Sequence, residues 1–158
     1  MLFFSTVEAT HIVGGEMNYT CLGNNEYEIT LTLFRDCFYG NPNAWFDNPA
    51  SIGVFDVNNL LLEEIQIPLI INDTLVPTLS GDCFVVPPDV CVHTTTYTAI
   101  VTLPPIIGGY QLAYQRCCRN QTIANIIDPL GTGATYGLTI SEQALIECNT
   151  SPKFQQWP

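Results

Sequence analysis

The sequence predicts an all-β protein, a two-sheet sandwich of about seven or eight strands stabilised by disulfides. Three observations carry that expectation. Apolar and polar side chains alternate with a period of two in one segment after another. Clusters of Gly, Pro, Asn and Asp break these segments roughly every 8 to 15 residues, the cadence of short antiparallel strands. Seven cysteines, Cys21, Cys37, Cys83, Cys91, Cys117, Cys118 and Cys148, occur without a Cys-x-x-Cys pair or any usual zinc spacing.

The elements follow in order. Met17, Tyr19 and Cys21 share one face of a first strand, and Gly14-Gly15 before them lets that strand bulge or bend. Gly23-Asn24-Asn25 is a turn. Tyr27, Ile29, Leu31 and Leu33 then line one face, with Glu28, Thr30 and Thr32 on the other, so the two segments read as a hairpin. Residues 38–50 are a long loop rich in Gly, Pro, Asn and Asp, carrying Trp45 and Phe46. Ile52, Val54 and Phe55 mark a strand ending at Asn58-Asn59. Leu62, Ile65, Ile67 and Leu69 mark the next, with a turn expected at Asn72-Asp73-Thr74. A Pro-rich stretch runs from Asp82 to Val92. Tyr97, Ala99, Val101 and Leu103 alternate with threonines until Pro104-Pro105. Gly108-Gly109 opens a strand through Tyr110, Leu112, Tyr114 and Arg116. Tyr136, Leu138 and Ile140 form the last strand, and Ser141 is placed to cap one short helical turn. Sequential short strands with almost no helix point to an Ig-like, Greek-key sandwich.

The chain has 158 residues, suited to one domain, and is 47% hydrophobic with 12% charged residues. Eight Phe, seven Tyr and two Trp argue against disorder. Four Lys and Arg against fifteen Asp and Glu, a net charge of −11, exclude the basic stripe that nucleic acid requires. An anionic membrane surface would repel the chain. Residues 1–9 read as a residual or truncated signal peptide, with Val7 and Ala9 as the small residues before a cleavage point, leaving residues 10–158 as a single β-sandwich domain. The cysteines place that domain in an oxidising compartment.

Ile12-Val13-Gly14-Gly15 matches the mature start of chymotrypsin-like proteases, but no serine, histidine and aspartate occur in the contexts that chemistry needs. Cys83 and Cys91 bracket a short loop and suit a bridge to each other, the alternative being separate bridges to distant strands. Cys117 and Cys118 are adjacent, so strand geometry sends them to opposite faces and to different partners, a strained bridge between the two being the alternative. An odd cysteine count leaves a thiol free or paired beyond this chain. Arg35, Arg116 and Arg119 follow strands and are expected to pair with nearby carboxylates. Loop residues Asp47, Asp56, Asp82 and Asp89 are candidates for a Ca²⁺ site at one end of the sandwich, although no EF-hand loop is present. Trp45, Phe46 and Asp47 form a candidate ligand-contact loop, able to stack on sugar rings or anchor an interface, or else to tuck under the loop as a satellite core.

Three stretches carry a family resemblance. They are Thr10-His11-Ile12-Val13-Gly14-Gly15-Glu16-Met17 with Tyr19-Thr20-Cys21-Leu22-Gly23-Asn24-Asn25-Glu26-Tyr27, then Leu33-Phe34-Arg35-Asp36-Cys37, and most specifically Gly109-Tyr110-Gln111-Leu112-Ala113-Tyr114-Gln115-Arg116-Cys117-Cys118-Arg119-Asn120-Gln121-Thr122. Together they resemble the N-terminal domain of large Bacteroidota cell-surface proteins of the gliding-motility-associated, type IX-secreted class. The resemblance implies export across the outer membrane, further β-domains downstream in the same polypeptide and a C-terminal sorting domain. It also implies a fragment in which Cys148 has lost its partner. Asp73-Thr74-Leu75 resembles the O-glycosylation signal of such bacteria, with Thr74 as acceptor.

The functional expectation is a non-catalytic structural or adhesive module of a secreted surface protein, with glycans or other surface proteins as partners and no resident cofactor. The alternative is a carbohydrate-binding module using the loop aromatics. No nucleophile–base pair and no spacing for paired catalytic carboxylates supports an enzyme.

Overall fold

The computed structural model describes residues 11–75 and 89–153. Strands β1 (Ile12–Gly23) and β2 (Glu26–Asp36) form the expected hairpin. Asn24 and Asn25 sit at φ 52° and 63°, the positive values that a tight two-residue hairpin turn demands and that Asn tolerates. β6 (Val92–Thr102) pairs along all of β2, and β5 (Asn72–Leu75) adds an edge, for the order β1-β2-β6-β5. The second sheet takes β3 (Ala50–Phe55), β4 (Leu61–Ile67), β7 (Tyr110–Arg116) and β8 (Ala134–Ile140) in the order β4-β3-β7-β8. All of these strand pairs are antiparallel.

Lettered A, B, C, C′, D, E, F and G along the chain, these strands give sheets ABED and C′CFG, the Ig-like arrangement that the sequence predicts. Tyr110, at the start of β7, donates its hydroxyl to the Pro104 carbonyl at 2.8 Å. This is the tyrosine corner of that architecture, where the chain passes from one sheet to the other. The bridge that joins strands B and F in antibody domains is not used, since neither β2 nor β7 contains a cysteine.

The alternation seen in the sequence becomes the core. Tyr27, Ile29, Leu31 and Leu33 of β2 face Ile52 and Val54 of β3 and Leu112 and Tyr114 of β7, all of them almost fully buried. A shift of register between Ile12 and Gly14 marks the bulge expected at the paired glycines. A Cβ on Gly15 would lie 2.8 Å from Leu33 Cδ2 and 2.9 Å from Tyr136 Cε1, so glycine lets β1 approach β8. Gly15→Val is therefore expected to destabilise by about 2 kcal/mol through overpacking. The measurement is a lower urea midpoint at unchanged slope.

Helix α1 (Glu142–Glu147) follows β8, and Ser141 Oγ accepts the Ala144 amide proton at 3.2 Å, as its capping position foretells. The chain then runs along the free edge of β1, where the Tyr19 amide donates to Ser151 Oγ at 2.9 Å and the Ser151 amide returns to the Tyr19 carbonyl at 3.0 Å.

Four expectations are corrected. Residues Asn72-Asp73-Thr74 are strand β5 rather than a turn, because pairing with Thr95, Thr94 and His93 of β6 outweighs their weak strand propensity. Cys91 bridges Cys37, not Cys83. The two lie just beyond the last β2–β6 pair, Asp36 and Val92, and the Cys37 amide donates to the Cys91 carbonyl at 3.0 Å, so the bridge extends that ladder by one rung. Cys148 keeps its partner within the chain, Cys21. Cys117 and Cys118 bridge each other. They lie past the end of β7, and Cys118 adopts φ 80°, so the face alternation of a strand no longer applies to them. Cys83, Asp82 and the candidate signal segment 1–9 lie outside the described residues.

Candidate functional site

The long loop between β2 and β3 holds the predicted contact residues, and two arginines pin it from below. Arg35 is the last inward-facing residue of β2 and only 2% exposed. Its Nε donates to the Ala44 carbonyl at 2.7 Å and its Nη2 to the Asn41 carbonyl at 2.8 Å. Its Nη1 lies 3.1 Å from His93 Nδ1, which must accept, leaving the imidazole proton on Nε2. Trp45 covers this group, with its ring centre 4.7 Å from the guanidinium carbon and 5.2 Å from the His93 ring.

The second anchor is Asp47. Tyr114 donates its hydroxyl to Asp47 Oδ2 at 2.5 Å, and Tyr97 donates to the Asp47 carbonyl at 2.6 Å. Arg116 Nη1 stands 3.3 Å from Asp47 Oδ1, an ion pair without hydrogen-bond alignment at that nitrogen, while Nη2 donates to the Trp45 carbonyl at 2.5 Å. Burial, then the neighbouring Asp47 carboxylate, pushes the Tyr114 phenol far up. Burial and Asp47 likewise push Tyr97 up to about 12, so both phenols stay protonated donors. Phe46 points into the core, and Trp45 is partly exposed. The predicted ligand loop is thus a clamp whose polar groups serve the fold. Arg116 meets a carboxylate as expected. Arg35 instead uses carbonyls and His93, and Arg119 Nε donates to the Gly133 carbonyl at 3.0 Å.

This clamp titrates. Burial first and the Arg35 charge second hold His93 below its ordinary 6.5. Asp36 is raised by burial, but hydrogen bonds from Asn120 and from the Tyr39 and Phe38 amides outweigh that and hold it below 3.8. Both pKa values are depressed in the folded state, so both contributions to stability are complete above the unfolded values. His93's is lost as pH falls below 6.5, and Asp36's as pH falls below 3.8. Melting temperature is expected to decline in two steps on acidification, and His93→Gln should flatten the upper one. An unchanged upper step in that variant would disprove the assignment.

Of the other candidates, Asp47 and Asp56 lie apart. Asp47 precedes and Asp56 follows the 6-residue β3, which separates them by roughly 20 Å. Asp56 is occupied by the Asn58 and Leu60 amides at 2.8 Å each. Asp89 is exposed just before Cys91. Among the described residues the one metal-like cluster is Cys37, Cys91 and His93, whose two sulfurs are joined to each other. Thr74 is exposed on edge strand β5.

What the sequence reading missed is the outer face of the β4-β3-β7-β8 sheet. Pairing aligns Gly53 with Ala113 and Ala113 with Gly137, three small residues on adjacent strands. Flanking them in register are Gln111 beside Phe55 and Thr139 on one side, and Gln115 beside Thr135 on the other. The result is an open groove of about 520 Å³ over β7 and β8, continuing into a hollow of about 270 Å³ over β3 and β4. The Phe55 ring lies across Gly53, where a Cβ would come within 2.5 Å of its Cε2, and it lines both spaces. Small outward-facing residues at alternate positions were the available signal, but nothing local indicates that their strands are neighbours.

Neither a protein-family model, nor a curated protein, nor a solved structure matches this chain.

Proposed function

We propose that this chain is a non-catalytic adhesive or structural module of an exported, multidomain surface protein of the gliding-motility-associated, type IX-secreted class. The observation that carries the reading is the set of three cysteine bridges within one Ig-like sandwich. Such bridges persist in oxidising compartments. A rigid scaffold with its loop clamped by Arg35 and Arg116 suits a protein that works by surface complementarity under load. The sequence stretches Leu33–Cys37 and Gly109–Thr122 supply the link to the family. Its partners are the downstream β-domains of the same polypeptide and glycans or proteins met outside the cell.

The test is made on the native cells. Protease treatment of intact cells should remove the protein, and mass mapping without reduction should recover the Cys21–Cys148 and Cys37–Cys91 peptides linked. Protein retained inside the cell with reduced thiols would overturn the proposal.

A further inference from the structure

We infer that the outer groove of the β4-β3-β7-β8 sheet binds a neutral glycan, with Phe55 as the stacking platform and Gln111, Gln115, Thr135 and Thr139 as hydrogen-bonding walls. The inference supplies a ligand class to the adhesive module proposed above and rests on that reading for its extracellular setting.

A sugar ring presents apolar C–H faces and a rim of hydroxyls that both donate and accept. Recognising it takes a flat apolar surface beside side chains able to do both. Phe55, packed over Gly53 with Leu61 next to it, is that surface. The carboxamides of Gln111 and Gln115 each hold two donors and an acceptor, and the hydroxyls of Thr135 and Thr139 do either. None of these four side chains makes a hydrogen bond to the described residues, unlike those of the loop clamp, so all of this capacity is available to a ligand.

The geometry is equally specific. Ala113 and Gly137 keep the centre of the face low, the Phe55 ring covers Gly53 beside them, and the flanking residues stand one alternation away on each side. Beyond Gly137 the low line meets the sheet edge, and beyond Gly53 it meets Glu64 in register.

Charge selects among glycans. Among the described residues the groove is lined by no Lys or Arg. The one carboxylate among those lining residues, Glu64, already accepts from Ser51 Oγ and, at 2.9 Å, from Gln66 Nε2. With a net charge of −11 on the chain, an anionic polysaccharide would be repelled, whereas a neutral one meets no penalty.

Affinity electrophoresis of the purified full chain tests this. The probes are mannan, xylan, β-glucan and galactan, with polygalacturonate as the anionic control. At least one neutral polymer should retard the protein and polygalacturonate should not. Phe55→Ala should weaken retardation about tenfold. Gln111→Ala and Gln115→Ala, both exposed positions without protein hydrogen bonds, should weaken it while leaving the melting temperature unchanged. Ala113→Arg, which fills the floor from an outward position, should abolish it. A Trp45→Ala variant separates this groove from the loop and should bind normally.

The inference fails if no neutral polymer retards the chain, or if Ala113→Arg leaves retardation intact. It also fails if Ala113→Arg instead dissolves a dimer seen by sedimentation, which would make the face a self-association surface. Surface exposure on intact cells is read independently, so a negative result here is distinct from failure of the export reading.

Discussion

Replacing Cys21 and Cys148 together by serine is expected to lower the unfolding free energy by about 4 kcal/mol. The bridge spans 127 residues of sequence. In the chain-entropy view, closing so long a loop restrains the unfolded chain by about 5 kcal/mol, an upper figure because unfolded chains retain some structure. The folded state contributes a local effect as well. The bridge holds the segment after α1 against β1, where Ser151 and Thr150 satisfy the amides of Tyr19 and Cys21. Urea unfolding should show the loss, and hydrogen exchange should show selective deprotection of the Tyr19 and Cys21 amides. A double variant with wild-type stability would mean that the tail is held by its hydrogen bonds alone.

Arg35→Met is expected to destabilise by about 3 kcal/mol, although methionine fits the space of the aliphatic stem. The change leaves the Ala44 and Asn41 carbonyls and His93 Nδ1 facing a thioether, and each buried polar group without a partner costs about 1–3 kcal/mol. Arg35→Lys should restore only part of that, because one ammonium cannot reproduce the planar fork that reaches three acceptors. The loop reports the change directly. Trp45 stacks on the guanidinium, so its fluorescence should shift toward the solvent-exposed value in both variants. If stability falls while Trp45 emission stays fixed, the arginine supports the sheets and not the loop.

Groove and loop differ in how legible they were. The loop announced itself through Trp45 and Phe46 amid turn residues, yet tertiary contacts turn Phe46 inward and engage Asp47 with Tyr114 and Arg116. The aromatic signal was genuine, and in Phe46 it marked packing, while Trp45 stays partly exposed over Arg35. The groove residues were equally visible in the sequence, as the polar half of two alternating strands and a glycine. They carried no signal because the value of Gln111 or Thr139 depends on which strand lies beside it. Likewise, Arg35 followed a strand like Arg116, and local context could not distinguish the carboxylate that one meets from the carbonyls that the other meets.

By itself the sequence determined the hairpin around Asn24-Asn25, the bulge at Gly14-Gly15, the Ser141 cap and the buried face of Tyr27, Ile29, Leu31 and Leu33. Each depends on backbone preference or side-chain periodicity within a few residues, so each is written locally. Only the tertiary structure decided that Asn72–Leu75 would be a strand, that Cys37 would meet Cys91 and Cys21 would meet Cys148, and that Gly53, Ala113 and Gly137 would line up under one groove. Those outcomes depend on segments brought together from far apart in the chain. They are settled by the joint burial of both sheets, which no short window of residues encodes.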